Sequence, residues 1–163
     1  HVQNNPSAEQ IAEAAIQAAF RLKLFGIAPK VALVCHSNFG ASDAPSARKM
    51  REALQLILQR APRLEVEGEM HVDAALMPEV RERMFPDSRL TGAANLLVLP
   101  DLAAATAAYN LTRVMTDGIG IGPILMGMAK PAHVLTPSAT VRRVVNMTAI
   151  AAVEAQSREQ RGS

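Results

Sequence analysis

The sequence predicts an α/β fold: an open, mostly parallel sheet with helices on both faces. Three observations carry this. The short continuous apolar run Val31-Ala32-Leu33-Val34-Cys35 and the segment Asn95-Leu96-Leu97-Val98-Leu99, apolar after its first residue, have the character of strands covered on both sides. Between and around them, apolar residues recur at helical spacing. Strand-like and helix-like segments alternate along the chain, which is how a parallel sheet with crossover helices is written. The 163 residues are enough for a substantial core, and with 49% hydrophobic but only 3% aromatic residues that core must be aliphatic.

Each element has its own signal. Ser7 followed by Gln10 is a capping box, and Ile11, Ala15, Ile16, Ala19, Phe20 and Leu24 continue a helix to Gly26. Pro29 precedes the strand 31–35, a polar loop follows, and Pro45 opens a helix running to about Arg60. Leu64-Glu65-Val66-Glu67-Gly68-Glu69-Met70 alternates apolar with acidic residues, the pattern of a half-exposed strand. Asp73 is placed to cap a helix through Ala74-Ala75-Leu76. Pro86-Asp87-Ser88 is turn chemistry. Asn95–Leu99 reads as a buried strand, ended by Pro100-Asp101, which caps an Ala-rich helix from Leu102 to about Thr116 that stops at Asp117-Gly118. Ile119–Met128 and Ala132–Leu135 read as strands. Thr140 precedes a last helix from Val141 to about Gln156, and residues 157–163 form a polar tail. Residues 1–6, which begin His1-Val2, read as a tag remnant or linker, and 7–156 as one domain.

Several function classes are disfavoured. A net charge of +2 gives no footing for nucleic acid or an anionic membrane. One cysteine, Cys35, excludes a disulfide framework and a Cys-based zinc site, and within its apolar run it reads as core. His71 has no Cys or His at ligand spacing, so no metal site is expected. No run approaches the ~20 apolar residues of a membrane helix, and no secretory signal is visible. A cytoplasmic location is the expectation.

Two stretches carry candidate chemistry. The run Gly118–Thr140 joins a glycine-rich turn, an apolar segment, the single cation Lys130 and the hydroxyls of Thr136, Ser138 and Thr140. Pro131 and Pro137 stiffen it. Such an apolar shelf suits a long, mostly neutral ligand carrying phosphate, and it also suits a buried strand with ordinary loops. Gly118, Gly120 and Gly122 do not form a dinucleotide fingerprint, because they follow a helix and lead into an apparent strand. The loop His36-Ser37-Asn38-Phe39-Gly40-Ala41-Ser42-Asp43 lies between a strand end and a helix start, the usual place for a site in an open α/β sheet. Its hydroxyl and amide groups, Ser37, Asn38 and Ser42, are candidate phosphate contacts; a plain connection is the other reading. His133 is either a ligand contact or a structural histidine. Arg142 and Arg143 sit in the first turn of a helix, where the dipole disfavours cations, so an anion nearby would compensate.

Gly68-Glu69-Met70-His71-Val72-Asp73-Ala74-Ala75-Leu76, Asn95–Leu102, Ile121–Pro131 and Val31–Ser42 together resemble the carboxyl half of the phosphate acetyl/butyryl transferase family, in the right order from about Pro6 to Gln156. Within it, His36–Gly40, Met70-His71 and Leu135–Arg143 are most similar to the carboxyl-terminal transferase-like domain of bacterial NADP-dependent malic enzymes. The resemblance implies the second subdomain of a phosphotransacetylase-like fold.

The departures from the family pattern bear on function. Active phosphotransacetylases carry Ser-Arg-Gly where this chain has Thr136-Pro137-Ser138, and an Asp in place of Arg143. A carboxylate there takes the proton from the coenzyme A thiol, while the arginine and hydroxyl hold phosphate and oxyanion. Pro137 offers no guanidinium and Arg143 no base; losing one such group costs about 10²–10⁴-fold. The resemblance therefore implies no catalytic residue, and a pocket retained to sense acetyl-CoA through Ser37, Asn38, Ser42, Lys130, His133 and Thr136. It further implies an upstream malic enzyme domain holding NADP and Mg or Mn, a homodimer through this part, and a larger homo-oligomer. An active acetyltransferase and an assembly-only module, with Tyr109 on a flat helix face, are the alternatives.

Overall fold

The computed structural model describes residues 3–116 and 119–162. It forms two compact units, His1–Asn110 and Leu111–Ser163. The expected remnant at His1-Val2, the helix end at Asp117-Gly118 and the last residue of the tail lie outside the described residues.

The first unit holds the sheet. Helix α1 (Ala8–Leu24) starts on the expected capping box: the Ser7 hydroxyl accepts from the Gln10 N–H, and the Gln10 side chain accepts from the Ser7 N–H at 2.8 Å. Strand β1 (Lys30–Val34), helix α2 (Pro45–Arg60) and strand β2 (Glu65–Met70) follow. Short helices α3 (Val72–Leu76) and α4 (Pro78–Met84) lead to β3 (Leu96–Val98). The strands are all parallel, in the order β2-β1-β3. The chain therefore moves one way from β1 to β2 and back the other way to β3. Right-handed crossovers then require the two connections to cover opposite faces. Accordingly Val31, Leu33 and Val66 pack with α1 and α2 (Ala12, Ala15, Met50, Ile57), while Ala32, Val34 and Met70 pack with Ala74, Ala75, Leu90 and Ala94.

β2 departs from its expected half-exposed character, because Glu67 and Glu69 are buried. Each is tolerated because polar partners meet it. Glu67 accepts from the Gly68 N–H and, through its other oxygen, from the Arg89 N–H at 2.9 Å. The register also shifts between Leu33/Val34, where Glu69 is skipped. An extra residue reverses the side-chain alternation beyond it. That is why Val66 joins one core and Met70 the other, although strict alternation would put both on one face. Gly68, at φ +151°, lies where a Cβ would come within 2.7 Å of the Leu33 Cβ and carbonyl oxygen. Only glycine lets the strands approach so closely.

Asp73 is not a cap: it lies inside α3, its carboxylate accepting from the next N–H, Ala74, while His71 occupies the N-cap position. β3 is shorter than the expected 95–99 strand and only partly covered, with Leu97 36% exposed. Arg81 is fully buried; its guanidinium donates to the carbonyls of Ala74, Leu90 and Gly92, joining α3, α4 and the following loop. Asn4 and Asn5 are engaged, the first accepting from the Leu102 N–H and the second from Lys49.

Helix α5 (Leu102–Met115) begins as expected, with Asp101 accepting from the Ala104 N–H at 2.8 Å. In the second unit the expected strands at Ile119–Met128 and Ala132–Leu135 do not form; the segment runs without sheet pairing to Thr140. Apolar composition alone does not make a strand without a neighbour to bond. Thr140 caps α6 (Val141–Gly162) by accepting from the Arg143 N–H, and the expected polar tail continues this helix. No helix among the described residues is long and apolar enough to cross a membrane.

Candidate functional site

The 36–43 loop leaves the carboxyl end of β1, the central strand, where the crossovers diverge and open α/β sheets place their ligands. The loop is organised from below by the Glu69 carboxylate, which the bulge of β2 delivers under it. Oε1 of Glu69 accepts from the Ser37 hydroxyl (2.8 Å), the Gly40 N–H (3.0 Å) and the Arg51 guanidinium (2.9 Å). Its main-chain oxygen accepts from the Phe39 N–H at 2.7 Å. Phe39 takes φ +47°, uncommon for a bulky residue, and its ring stacks on Phe85 with centroids 4.6 Å apart. Backbone strain held in place by its surroundings gathers at functional sites.

The expected contacts in this loop have unequal freedom. Ser37 is buried; besides donating to Glu69, its oxygen accepts from the Ser42 N–H at 3.1 Å. Its hydroxyl shapes the loop. The Ser42 hydroxyl accepts from the Ala44 N–H at the entry to α2, and its carbonyl accepts from Arg51 at 2.9 Å. Asn38 accepts from the His71 N–H at 2.7 Å and turns its amide toward the Met84 sulfur at 3.6 Å. Ser37 and Ser42 are thus joined directly, and Asn38 stands beside them in sequence with partners on other elements.

In the second unit Lys130 and Thr136 are exposed, with the Thr136 hydroxyl 3.0 Å from that of Ser138. His133 differs from them. Its side chain is 5% exposed and faces Glu154 of α6 across 3.6 Å. Arg143 turns back from the first turn of α6, donating to the Gly122 carbonyl at 2.6 Å. The helix-start cation therefore meets a carbonyl of the glycine-rich turn.

Glu69, Arg51 and Glu154 were not legible as site residues. Glu69 read as solvent-facing on an alternating strand, and nothing in the spacing of Arg51 or Glu154 names a partner 18 or 21 residues away. Among the described residues no three His, Cys, Asp or Glu side chains gather as a metal site.

The family model of phosphate acetyl/butaryl transferases matches residues 1–152. Over 158 residues the chain is 55% identical to an NADP-dependent malic enzyme of Escherichia coli, covering 96% of this chain and 21% of that protein. It is 43% identical over 150 residues to a phosphate acetyltransferase of Paracoccus denitrificans, covering 91% of this chain and 47% of that one. A phosphotransacetylase from Streptococcus pyogenes superposes with a TM-score of 0.91 at 33% identity, over 96% of this chain and 48% of that structure. The chain thus spans about a fifth of this malic enzyme and about half of these two phosphotransacetylases.

Proposed function

The chain belongs to the phosphate acetyl/butaryl transferase family, and from that premise we propose that it is the transferase-like part of an NADP-dependent malic enzyme, without acetyl transfer of its own. In this reading it binds acetyl-CoA and passes that signal to oxidative decarboxylation of malate elsewhere in the parent protein. The observation that carries the loss of transfer is Arg143. In place of the carboxylate that would deprotonate a thiol stands a guanidinium, and it is spent on the Gly122 carbonyl at 2.6 Å. Pro137 supplies no cation to steady a phosphate. The 36–43 loop and the exposed Lys130 and Thr136 are the groups left for recognition. NADP and Mg or Mn would belong to the malic enzyme part outside this chain.

An effector must bind one state of the parent better than another, with a coupling of about 1–3 kcal/mol. Calorimetric titration of acetyl-CoA into the full-length parent tests the reading. Saturable binding is expected, weakened about tenfold or more by Lys130→Ala and by Thr136→Ala, in line with lost charge-assisted bonds. No binding, or wild-type affinity in both variants, overturns it.

Two other readings each rest on one observation. The 43% identity to a phosphate acetyltransferase favours retained transfer, which thioester formation from acetyl phosphate and coenzyme A would establish. Exposed apolar residues on α5 and α6, among them Val114, Met115 and Val141, favour assembly into a homodimer and larger oligomer. Sedimentation with and without acetyl-CoA separates that role from sensing.

A further inference from the structure

We propose that Arg51 is an anion contact of the 36–43 loop, aimed by Glu69 and held in reserve by Asp43, which occupies the place of a ligand phosphate. The proposal rests on the acetyl-CoA reading only for the identity of the ligand.

The two ends of the Arg51 guanidinium have unlike surroundings. Nη1 is fixed, donating to the buried Glu69 carboxylate and to the Ser42 carbonyl, each at 2.9 Å. Nη2 meets the Asp43 carboxylate at 3.2 Å, and the Asp43 side chain is 93% exposed. A carboxylate in bulk solvent makes a weak pair, screened by salt and easily exchanged. The inner pair, with Glu69 wholly buried, is not exchanged so readily. The guanidinium is therefore held rigidly from within and turns one donor edge outward, toward an anion that can leave.

A planar fork with a fixed orientation suits phosphate oxygens better than a flexible ammonium does. Its position agrees: Asp43 ends the loop leaving the central strand, and Arg51 lies on α2, which that loop enters. The ligand class is a phosphate ester or anhydride. On arrival its oxygen takes the Nη2 edge and Asp43 swings into solvent, with no covalent change.

A purely structural pair and a reserved anion contact differ in what Asp43 does. If Asp43 only braces the loop, removing its charge leaves binding unchanged or weakens it. If it competes with the ligand, removing its charge strengthens binding. The test is titration of the full-length protein with inorganic pyrophosphate and, separately, with acetyl-CoA. Asp43→Asn is expected to tighten pyrophosphate about three- to tenfold, with a smaller gain at high salt. Arg51→Lys, which keeps the charge beside Glu69, is expected to weaken it about tenfold at an unchanged melting temperature. Pyrophosphate that does not bind, or binds both variants as it binds the parent, overturns the inference. Pyrophosphate responding as expected without acetyl-CoA binding supports it and sinks the acetyl-CoA reading. Acetyl-CoA binding that is sensitive to Lys130→Ala, with pyrophosphate indifferent to both Arg51→Lys and Asp43→Asn, does the reverse.

Discussion

The Ser37 hydroxyl donates to the Glu69 carboxylate at 2.8 Å, with both side chains buried. One sits at the start of the loop beyond β1 and the other at the bulge of β2, 32 residues apart. The same carboxylate oxygen also gathers the Gly40 N–H and Arg51, so a single group fixes the loop's backbone, its first hydroxyl and the helix behind it.

Glu69→Ala should therefore loosen the loop and leave Arg51 and Ser37 without their shared acceptor. Breaking a fully buried pair costs about 3–5 kcal/mol; Arg51 keeps some solvent, so about 2–3 kcal/mol is expected. Chemical denaturation gives the loss, and hydrogen exchange at Gly40 and Ser42 should rise with it. Unchanged protection at both amides would contradict the organising role of Glu69.

Gly68→Ala places a methyl group 2.7 Å from the Leu33 Cβ and carbonyl oxygen, at a φ that side chains rarely adopt. Overpacking and backbone strain each cost about 1–3 kcal/mol, so the loss should reach about 3 kcal/mol or more. The measurement is the urea midpoint. A shift under a third of that would mean that β2 can move off β1 without harm.

Arg81→Met fills much of the same volume but leaves the carbonyls of Ala74, Leu90 and Gly92 without their donor. Relief of the arginine's own desolvation offsets part of this, and a net loss of about 2–4 kcal/mol is expected. A variant as stable as the parent would show that these carbonyls find other partners.

Ser7→Ala removes the N-cap of α1, at a cost of about 1 kcal/mol. It also changes the acid limb of stability. The Ser7 hydroxyl donates to Glu9 at 2.7 Å and is the main reason its carboxyl titrates below the ordinary value, with the local backbone N–H next. A lowered value in the folded state adds stability above the unfolded carboxyl's pKa and loses it as pH falls through the folded one. In Ser7→Ala the Glu9 titration, followed by NMR, should move up toward the ordinary value and this pH dependence should shrink. An unmoved Glu9 would assign the shift to the backbone.

How far the chain could be read without coordinates depends on the range of the forces involved. α1 with its Ser7–Gln10 box, β1, α2 behind Pro45 and α5 behind Asp101 are written in signals a few residues long, and they fall where expected. The alternation of strand and helix was likewise enough for a parallel α/β sheet covered on both faces. The acidic strand 64–70 was misjudged because solvent and a buried Ser37–Arg51 cradle look identical from one strand. Ile119–Met128 was misjudged because a strand exists only by hydrogen bonding to another.

What the sequence determined by itself was the order of α1, β1, α2, β2, β3, α5 and α6 and their parallel α/β class. Tertiary structure alone decided that Ser37 shapes the loop, that His133 faces Glu154, and that Glu69 sits under the candidate site. The reason is physical: caps and apolar periodicity act between neighbours along the chain, whereas a buried carboxylate is defined by donors that folding brings to it from 18 and 32 residues away.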